Sequence, residues 1–399
     1  MAKRLFGLPV IIFIVAILAF LSDMSNSITS VTVPLLALNL GASYEFIGTM
    51  VALSAFTRLV FVQPIGILSD KVDKRIFLTL GFLLFFINFL ILVLATQPIH
   101  ILIGRILQGI GSAMFYTTAV SLILLNAEGR RGIAVGIYGT LMGFGFSMGP
   151  IIGGFIAEKI SYTTSYLVSA FLALSAIGMI ILGVKEKNRY IKSSEQKKLA
   201  PSFKLLLKNK EILIACIGGF FISEAIGADT SFFPVFGKNI SLSEGIIGGI
   251  LGIRAFLSTI IRIPVGKATE KIGSKKIMFI ALSLSSLGLF LVPQFRIVWL
   301  FPFFLGLEGI GFGMFHTSVN TFIGEVTDDE NKGAAIGLYY TFSNIGSVLN
   351  MTILGFIAGT FGVANTFRFT SIMCLVGLII NLILSKTYVQ KKSNVARAH

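Results

Sequence analysis

Residues 99–126 read IHILIGRILQGIGSAMFYTTAVSLILLN, and two hundred residues later the centre of this stretch returns. Gly109-Ile110-Gly111 becomes Gly309-Ile310-Gly311, and Met114-Phe115 becomes Met314-Phe315. A run of this length and apolarity crosses about 30 Å of hydrocarbon as a helix, which takes about 20 residues. The same offset pairs Phe20 with Phe220, Pro34 with Pro234, Gly48 with Gly248, Ala55-Phe56 with Ala255-Phe256, Gly66 with Gly266 and Lys71 with Lys271. After one inserted residue it pairs Gly132, Gly136, Tyr138, Thr140 and Gly145 with Gly333, Gly337, Tyr339, Thr341 and Gly346. The ordered series predicts two copies of one unit in the same orientation. Parallel repeats with a site at the membrane midplane are an architecture of alternating-access transporters.

Composition supports a membrane solvent. Of 399 residues 55% are hydrophobic and only 13% charged, with a mean hydropathy of +0.89. Soluble domains spend about a quarter of their residues on charge. Three His, two Cys and one Trp exclude a zinc-finger array, a disulfide-built domain and most iron–sulfur carriers. Cys216 and Cys374 lie singly in separate spans and imply neither disulfide nor metal. The net charge of +15 sits between apolar runs rather than on a soluble basic fold, so no nucleic-acid partner is expected.

Twelve spans are expected, near 6–31, 46–68, 76–95, 99–126, 132–157, 163–185, 211–237, 245–266, 277–294, 297–324, 333–358 and 364–385. No period-2 alternation of a membrane barrel is present. The fold class is an all-α membrane protein of two pseudo-symmetric six-helix bundles, 1–187 and 209–399, joined by a basic linker at 188–208. Most Lys and Arg fall on one side, including Lys3, Arg4, Lys71, Lys74, Arg75, Arg130, Arg131, Lys267, Lys271, Lys275 and the linker lysines. Short loops rich in these residues stay cytoplasmic, which places both termini and the linker inside a plasma membrane. The same cations would attract anionic lipid on the inner face. The apolar run after Lys3-Arg4 is too long for a signal peptide and has a later copy, so it is read as the first span.

Three motifs carry a family resemblance. Gly66-Ile67-Leu68-Ser69-Asp70-Lys71-Val72-Asp73-Lys74-Arg75 resembles the loop 2–3 signature of the major facilitator superfamily, with Asp73 in place of one glycine. Its degenerate copy runs from Gly266 to Lys276. Arg105-Ile106-Leu107-Gln108-Gly109 resembles the helix 4 arginine motif, and Gly145-Phe146-Ser147-Met148-Gly149-Pro150-Ile151-Ile152-Gly153-Gly154 the helix 5 antiporter motif. The resemblance implies the major facilitator fold, with helices 1, 4, 7 and 10 lining a cavity. It also implies that the loop 2–3 cluster latches the halves together on the inner side.

Each motif also has a physical reading. Gly66 would let the end of its helix approach a neighbour, Asp70 would accept from another helix N-terminus, and Lys71, Lys74 and Arg75 would bind lipid phosphates or complete a charge cluster. Gly145, Gly149 and Gly153 at i, i+4 and i+8, with Gly154 and a bending Pro150, make a smooth packing seal. The second half lacks it, reading Gly346-Ser347-Val348-Leu349-Asn350-Met351.

The ionisable residues singled out inside spans are Asp23, Arg58, Arg105, Glu224, Asp229, Arg254, Arg262 and Glu308. Each costs at least about 2.5–3.5 kcal/mol at the bilayer centre, which argues for a wet, protein-lined interior. A carboxylate can load and release a proton, whereas arginine stays charged. Asp23, Asn26, Ser27 and Ser30 form a polar stripe at i, i+3, i+4 and i+7. Glu224 is nearly the repeat mate of Asp23, and Glu308 takes the place of Gln108. Glu224 and Asp229, five residues apart, do not both face one cavity squarely, and Glu224 is preferred.

Acids on three lining helices and Arg105 on the fourth resemble the twelve-helix drug:proton antiporters. The expected substrate and coupling residues are Asp23, Arg105, Gln108, Glu224, Asp229 and Glu308. The expected function is proton-coupled export of lipophilic or cationic small molecules by a monomer without metal or cofactor. The alternative is transport of an anionic metabolite held by Arg58, Arg105 or Arg254. A membrane enzyme ranks lower because no nucleophile–base or metal cluster is visible, and a sensor because it would be expected to carry an added soluble domain, whereas the largest loop is about 25 residues. Without a phosphate-binding loop an ATP-driven pump would need a separate subunit.

Overall fold

In lipid every backbone N–H and C=O must find a partner within its own segment, so apolar runs of this length resolve as helices. The computed structural model describes residues 4–69, 71–184, 206–328 and 331–396, apart from the side chains of Glu224 and of 386–396. The elements of the first repeat are α1 (Val10–Ile28), α2 (Thr32–Asn39), α3 (Tyr44–Ser69), α4 (Lys74–Val93), α5 (Pro98–Asn126), α6 (Arg131–Lys159) and α7 (Tyr162–Gly183). Those of the second are α8 (Lys210–Gly227), α9 (Phe233–Asn239), α10 (Glu244–Ile260), α11 (Arg262–Ile272), α12 (Ser274–Leu291), α13 (Phe301–Val326), α14 (Lys332–Phe361) and α15 (Ala364–Ala396). Among the described residues 11 helices are long and apolar enough to cross a membrane, or 12 when α10 and α11, bent by 43°, count as one span.

Both repeats break their first span at the same place. Between α1 and α2 the chain turns at residues 29–31, and at the offset of 200 a π-turn, Ala228–Phe232, separates α8 from α9. Hydroxyls satisfy the loosened backbone: Thr29 Oγ1 donates to Asn26 O at 2.8 Å and Ser30 Oγ to Ser27 O at 2.7 Å. The expected helical start near residue 6 is corrected. Arg4–Leu5 and Leu8–Pro9 form a two-stranded hairpin instead. Its central residues Phe6 and Gly7 have φ of 48° and 76°, the pattern of a two-residue type I′ turn, and Pro9 stands directly before α1. Arg4 ties the hairpin to Glu128 at 3.0 Å.

Contacts divide the chain into two units. The first is Met1–Lys192 with Thr230–Phe256, and the second is Ser193–Asp229 with Leu257–His399. The segment containing α9 and most of α10 thus packs with the first repeat, away from the linker boundary expected from sequence. The cause is small residues. A Cβ on Gly154 would strike Glu244 O and Gly248 Cα, and one on Gly248 would strike Pro150 O, so α6 and α10 touch backbone to backbone. Polar groups close the end of this contact. Glu158 Oε2 accepts from Gly245 N–H at 3.0 Å, Tyr162 donates to Glu244 at 2.8 Å, and Lys238 pairs with Glu244 at 2.7 Å.

Elsewhere in the first unit α4 and α5 meet through Phe82, Phe85 and Phe115, with Phe82–Phe115 ring centroids 5.0 Å apart. The second unit builds its core from Cys216, Met278, Leu282, Phe315, Ile323 and Tyr339.

Candidate functional site

The polar side chains of the first unit converge where α1, α3 and α5 meet. Gly109 makes the approach possible, since a Cβ there would collide with Thr57 Oγ1 on α3. Arg105, Gln108, Ser112 and Tyr116 fall at i, i+3, i+7 and i+11 on α5, one face of the helix. Together with Asn26, Val51, Ser54, Ala55 and Arg58 they line a cavity of about 240 Å³.

The cavity wall is held by side-chain hydrogen bonds. Arg105 Nη1 donates to Gln108 Oε1 at 2.7 Å, and Gln108 Nε2 donates to Asn26 Oδ1 at 2.7 Å. Asn26 Nδ2 in turn donates to Ser22 O at 2.8 Å. One turn away Tyr116 donates its hydroxyl proton to Asp23 Oδ2 at 3.0 Å, and Ser22 Oγ donates to Tyr116 at 3.4 Å. Three residues expected from sequence, Asp23, Arg105 and Gln108, therefore share one network. The sequence reading missed Tyr116 and Ser112. Their signal was the i, i+3, i+7, i+11 stripe that begins at Arg105.

The second-half candidates occupy other settings. Glu308 is fully buried in α13 and packs its backbone on α12: Ser285 Oγ donates to Glu308 O at 3.4 Å, and a Cβ on Gly288 would meet Glu308 N and Cβ. Asp229 is fully buried in the π-turn. The helix of Glu224 is described and its side chain lies outside the described residues. Packing settles the register of α8, because a Cβ on Gly346 would strike Phe220 O as one on Gly145 strikes Phe20 O. Asp23 thus corresponds to Ser223, and Glu224 to Met24.

The glycine motif of α6 packs on α1. A Cβ on Gly145, Gly149 or Gly153 would strike, respectively, Phe20 O, Ser27 Cβ or Ile28 O, while Pro150 and Gly154 face α10. In the second half Asn350 takes the place of Gly149, and its Nδ2 reaches Phe220 O at 3.4 Å.

In the loop 2–3 motif, Asp70 lies outside the described residues, and Lys71 is exposed. Arg75 Nη2 donates to Ile181 O at 2.5 Å, the end of α7 in its own unit. Asp73 caps α4, its Oδ1 accepting from Arg75 N–H at 2.8 Å, which accounts for an acid where the family pattern has glycine. Close approach is not the role of Gly66 within this unit: an added Cβ there would make ordinary contact with Thr117 Cγ2 at 3.6 Å. Among the described residues no group of His, Cys, Asp and Glu is arranged to hold a metal.

Comparison with known proteins agrees with this architecture. The family model described as Major Facilitator Superfamily matches residues 15–243 and 225–398. An uncharacterised MFS-type transporter of Methanocaldococcus jannaschii is 26% identical, covering 93% of this chain and 97% of its own. The multi-drug resistance efflux pump PmrA of Streptococcus pneumoniae is 25% identical over 94% of this chain and 95% of its own. A crystal structure of a variant of the nucleoside transporter NupG has the same fold, with a TM-score of 0.80 at 14% identity, covering 94% of this chain and 99% of that one.

Proposed function

The chain belongs to the Major Facilitator Superfamily, and from that premise we propose that it is a proton-coupled antiporter exporting lipophilic or cationic compounds by alternating access. Membership makes it a multi-span membrane transporter of small molecules rather than an enzyme. The observation that carries the finer reading is Asp23. This acid on the first span is hydrogen-bonded beside a cavity lined by Arg105, Gln108 and Tyr116. A proton entering from outside neutralises Asp23, and release inside lets substrate compete for the carboxylate. Glu224 and Glu308 are the further coupling acids of the proposal. A multi-drug resistance efflux pump and a multidrug resistance protein among the relatives support the substrate class.

The proposal includes an inner latch of Gly66, Asp70, Lys71 and Arg75, and a seal of Gly145, Gly149, Pro150, Gly153 and Gly154. The glycine packing on α1 and α10 supports the seal. It also takes both termini as cytoplasmic, the carrier as a monomer in a plasma membrane, and the lysine-rich loops as facing anionic lipid.

The test is transport in proteoliposomes under an imposed pH gradient, with tetraphenylphosphonium as the cation and benzoate as the anion. Gradient-driven accumulation of tetraphenylphosphonium, abolished by a protonophore, is the expected result. The second reading, an anion carrier, draws on Arg58 and Arg105 lining one cavity. Accumulation of benzoate with no effect on tetraphenylphosphonium would establish it in place of the first.

A further inference from the structure

Asn381 on α15 is fully buried, and among the described residues neither its amide nitrogen nor its carbonyl oxygen has a hydrogen-bond partner. An amide with donor and acceptor both unmet is costly inside a packed bundle, and native proteins keep few of them. It stands on the face of α15 that lies along α8, where Cys374, Gly377 and Asn381 fall at i, i+3 and i+7. Cys374 Sγ reaches Phe221 O at 3.9 Å, and a Cβ on Gly377 would press on the Phe221 side chain. A Cβ on Gly218 would come within 3.1 Å of Asn381 Nδ2. At that point α8 carries two glycines in succession. An added Cβ on Gly218 would also meet the Phe315 ring of α13 at 2.7 Å, and one on Gly219 would strike the Tyr339 ring of α14.

The first repeat supplies the comparison. The offset of 200 aligns Gly218-Gly219 with Leu18-Ala19, and the offset of 201 aligns Asn381 with Ile180. All three mates are apolar and fully buried. One half of the molecule fills this contact with side-chain carbon, and the other places there a glycine pair and an unmatched amide. Glycines weaken a helix interior, and helices bend at such pairs or where a side chain enters the backbone ladder. We propose that α8 bends at Gly218-Gly219 in a second state of the transport cycle, and that the Asn381 amide takes the backbone N–H and C=O groups which the bend frees. In the unbroken helix of the structure those groups bond to one another, which leaves the amide without a partner. A side chain shifts the balance of two states only when it is bonded differently in each, and Asn381 meets that condition. This rests on alternating access as read above, and not on proton coupling or on the class of substrate.

The experiment is hydrogen–deuterium exchange of the purified full chain in lipid nanodiscs, read on peptides of α8 and α1, together with thermal unfolding. Asn381→Ile takes the residue of the first repeat, and Asn381→Leu guards against a poor fit of one branched chain. Both are expected to raise the melting temperature by about 2 °C or more, because the unmet amide is gone. Both should also slow exchange around Gly218-Gly219 by at least about tenfold with α1 unchanged, because the bent state has lost its partner. A lower melting temperature in both variants would mean that the amide is already bonded. A higher one with unaltered α8 exchange would mean that it is only a tolerated packing defect. Either result overturns the bend, and so does slowing of equal size in α1, which is general stabilisation. Transport is judged separately by uptake of tetraphenylphosphonium in the wild-type chain, so loss of that reading and loss of the bend are distinct results.

Discussion

Arg105 commits one guanidinium nitrogen to the Gln108 carboxamide at 2.7 Å and still lines the cavity. A planar fork can do both, whereas an ammonium is a single point of charge on a flexible stem. Arg105→Lys should therefore leave folding intact and lower the initial transport rate by about tenfold or more, measured at equal reconstituted protein. Unchanged rates would show that the cavity needs only a positive charge at this position. Asp73 makes a purely structural prediction. Its carboxylate satisfies one of the orphan donors at the start of α4. Asp73→Ala should cost about 1 kcal/mol of stability, read as a lower melting temperature with transport chemistry unaltered.

At the scale of elements, two glycines of α6 separate packing from filler. Gly149 lies flat on α1, where even a methyl group would meet Ser27, Ile28 and Met24. Gly149→Leu should destabilise the protein by at least about 1–3 kcal/mol and lower transport or admit a proton leak, scored by melting and by decay of an imposed gradient. Gly139 has nothing within 4 Å of an added Cβ. Gly139→Ala should be neutral or stabilising by up to about 1 kcal/mol, since glycine gives up backbone entropy in a helix. If both variants behave alike, the contact of α6 with α1 is not what the stripe is for.

At the scale of the whole molecule, coupling means that a carboxylate changes charge within the cycle, which an amide of the same shape cannot do. Asp23→Asn and Glu308→Gln should each abolish accumulation driven by a pH gradient, at least about tenfold below wild type, while downhill movement survives. Glu308 is fully buried against α12, so its variant also tests whether that acid titrates at all. Retained gradient-driven transport in Glu308→Gln would make it a structural carboxyl.

The sequence by itself determined the span count, the repeat and the family signatures, because hydropathy and an offset of 200 residues are properties of neighbours along the chain. The limits of α5, Pro98–Asn126, differ by one residue from the run read at 99–126. Even the cavity face of α5 was written as a polar stripe from Arg105 to Tyr116. Only the tertiary structure decided which stripes meet. Tyr116 and Asp23 are 93 residues apart, and Arg75 and Ile181 are 106 apart. The same holds for glycines that look alike in sequence: Gly149 is pressed on a neighbouring backbone, while Gly139 faces open space and Gly66 makes only ordinary contact. The physical reason is that a uniformly apolar helix has no preferred rotation in lipid. Its orientation is set by which small residues let backbones close up and which polar groups must find partners once they do.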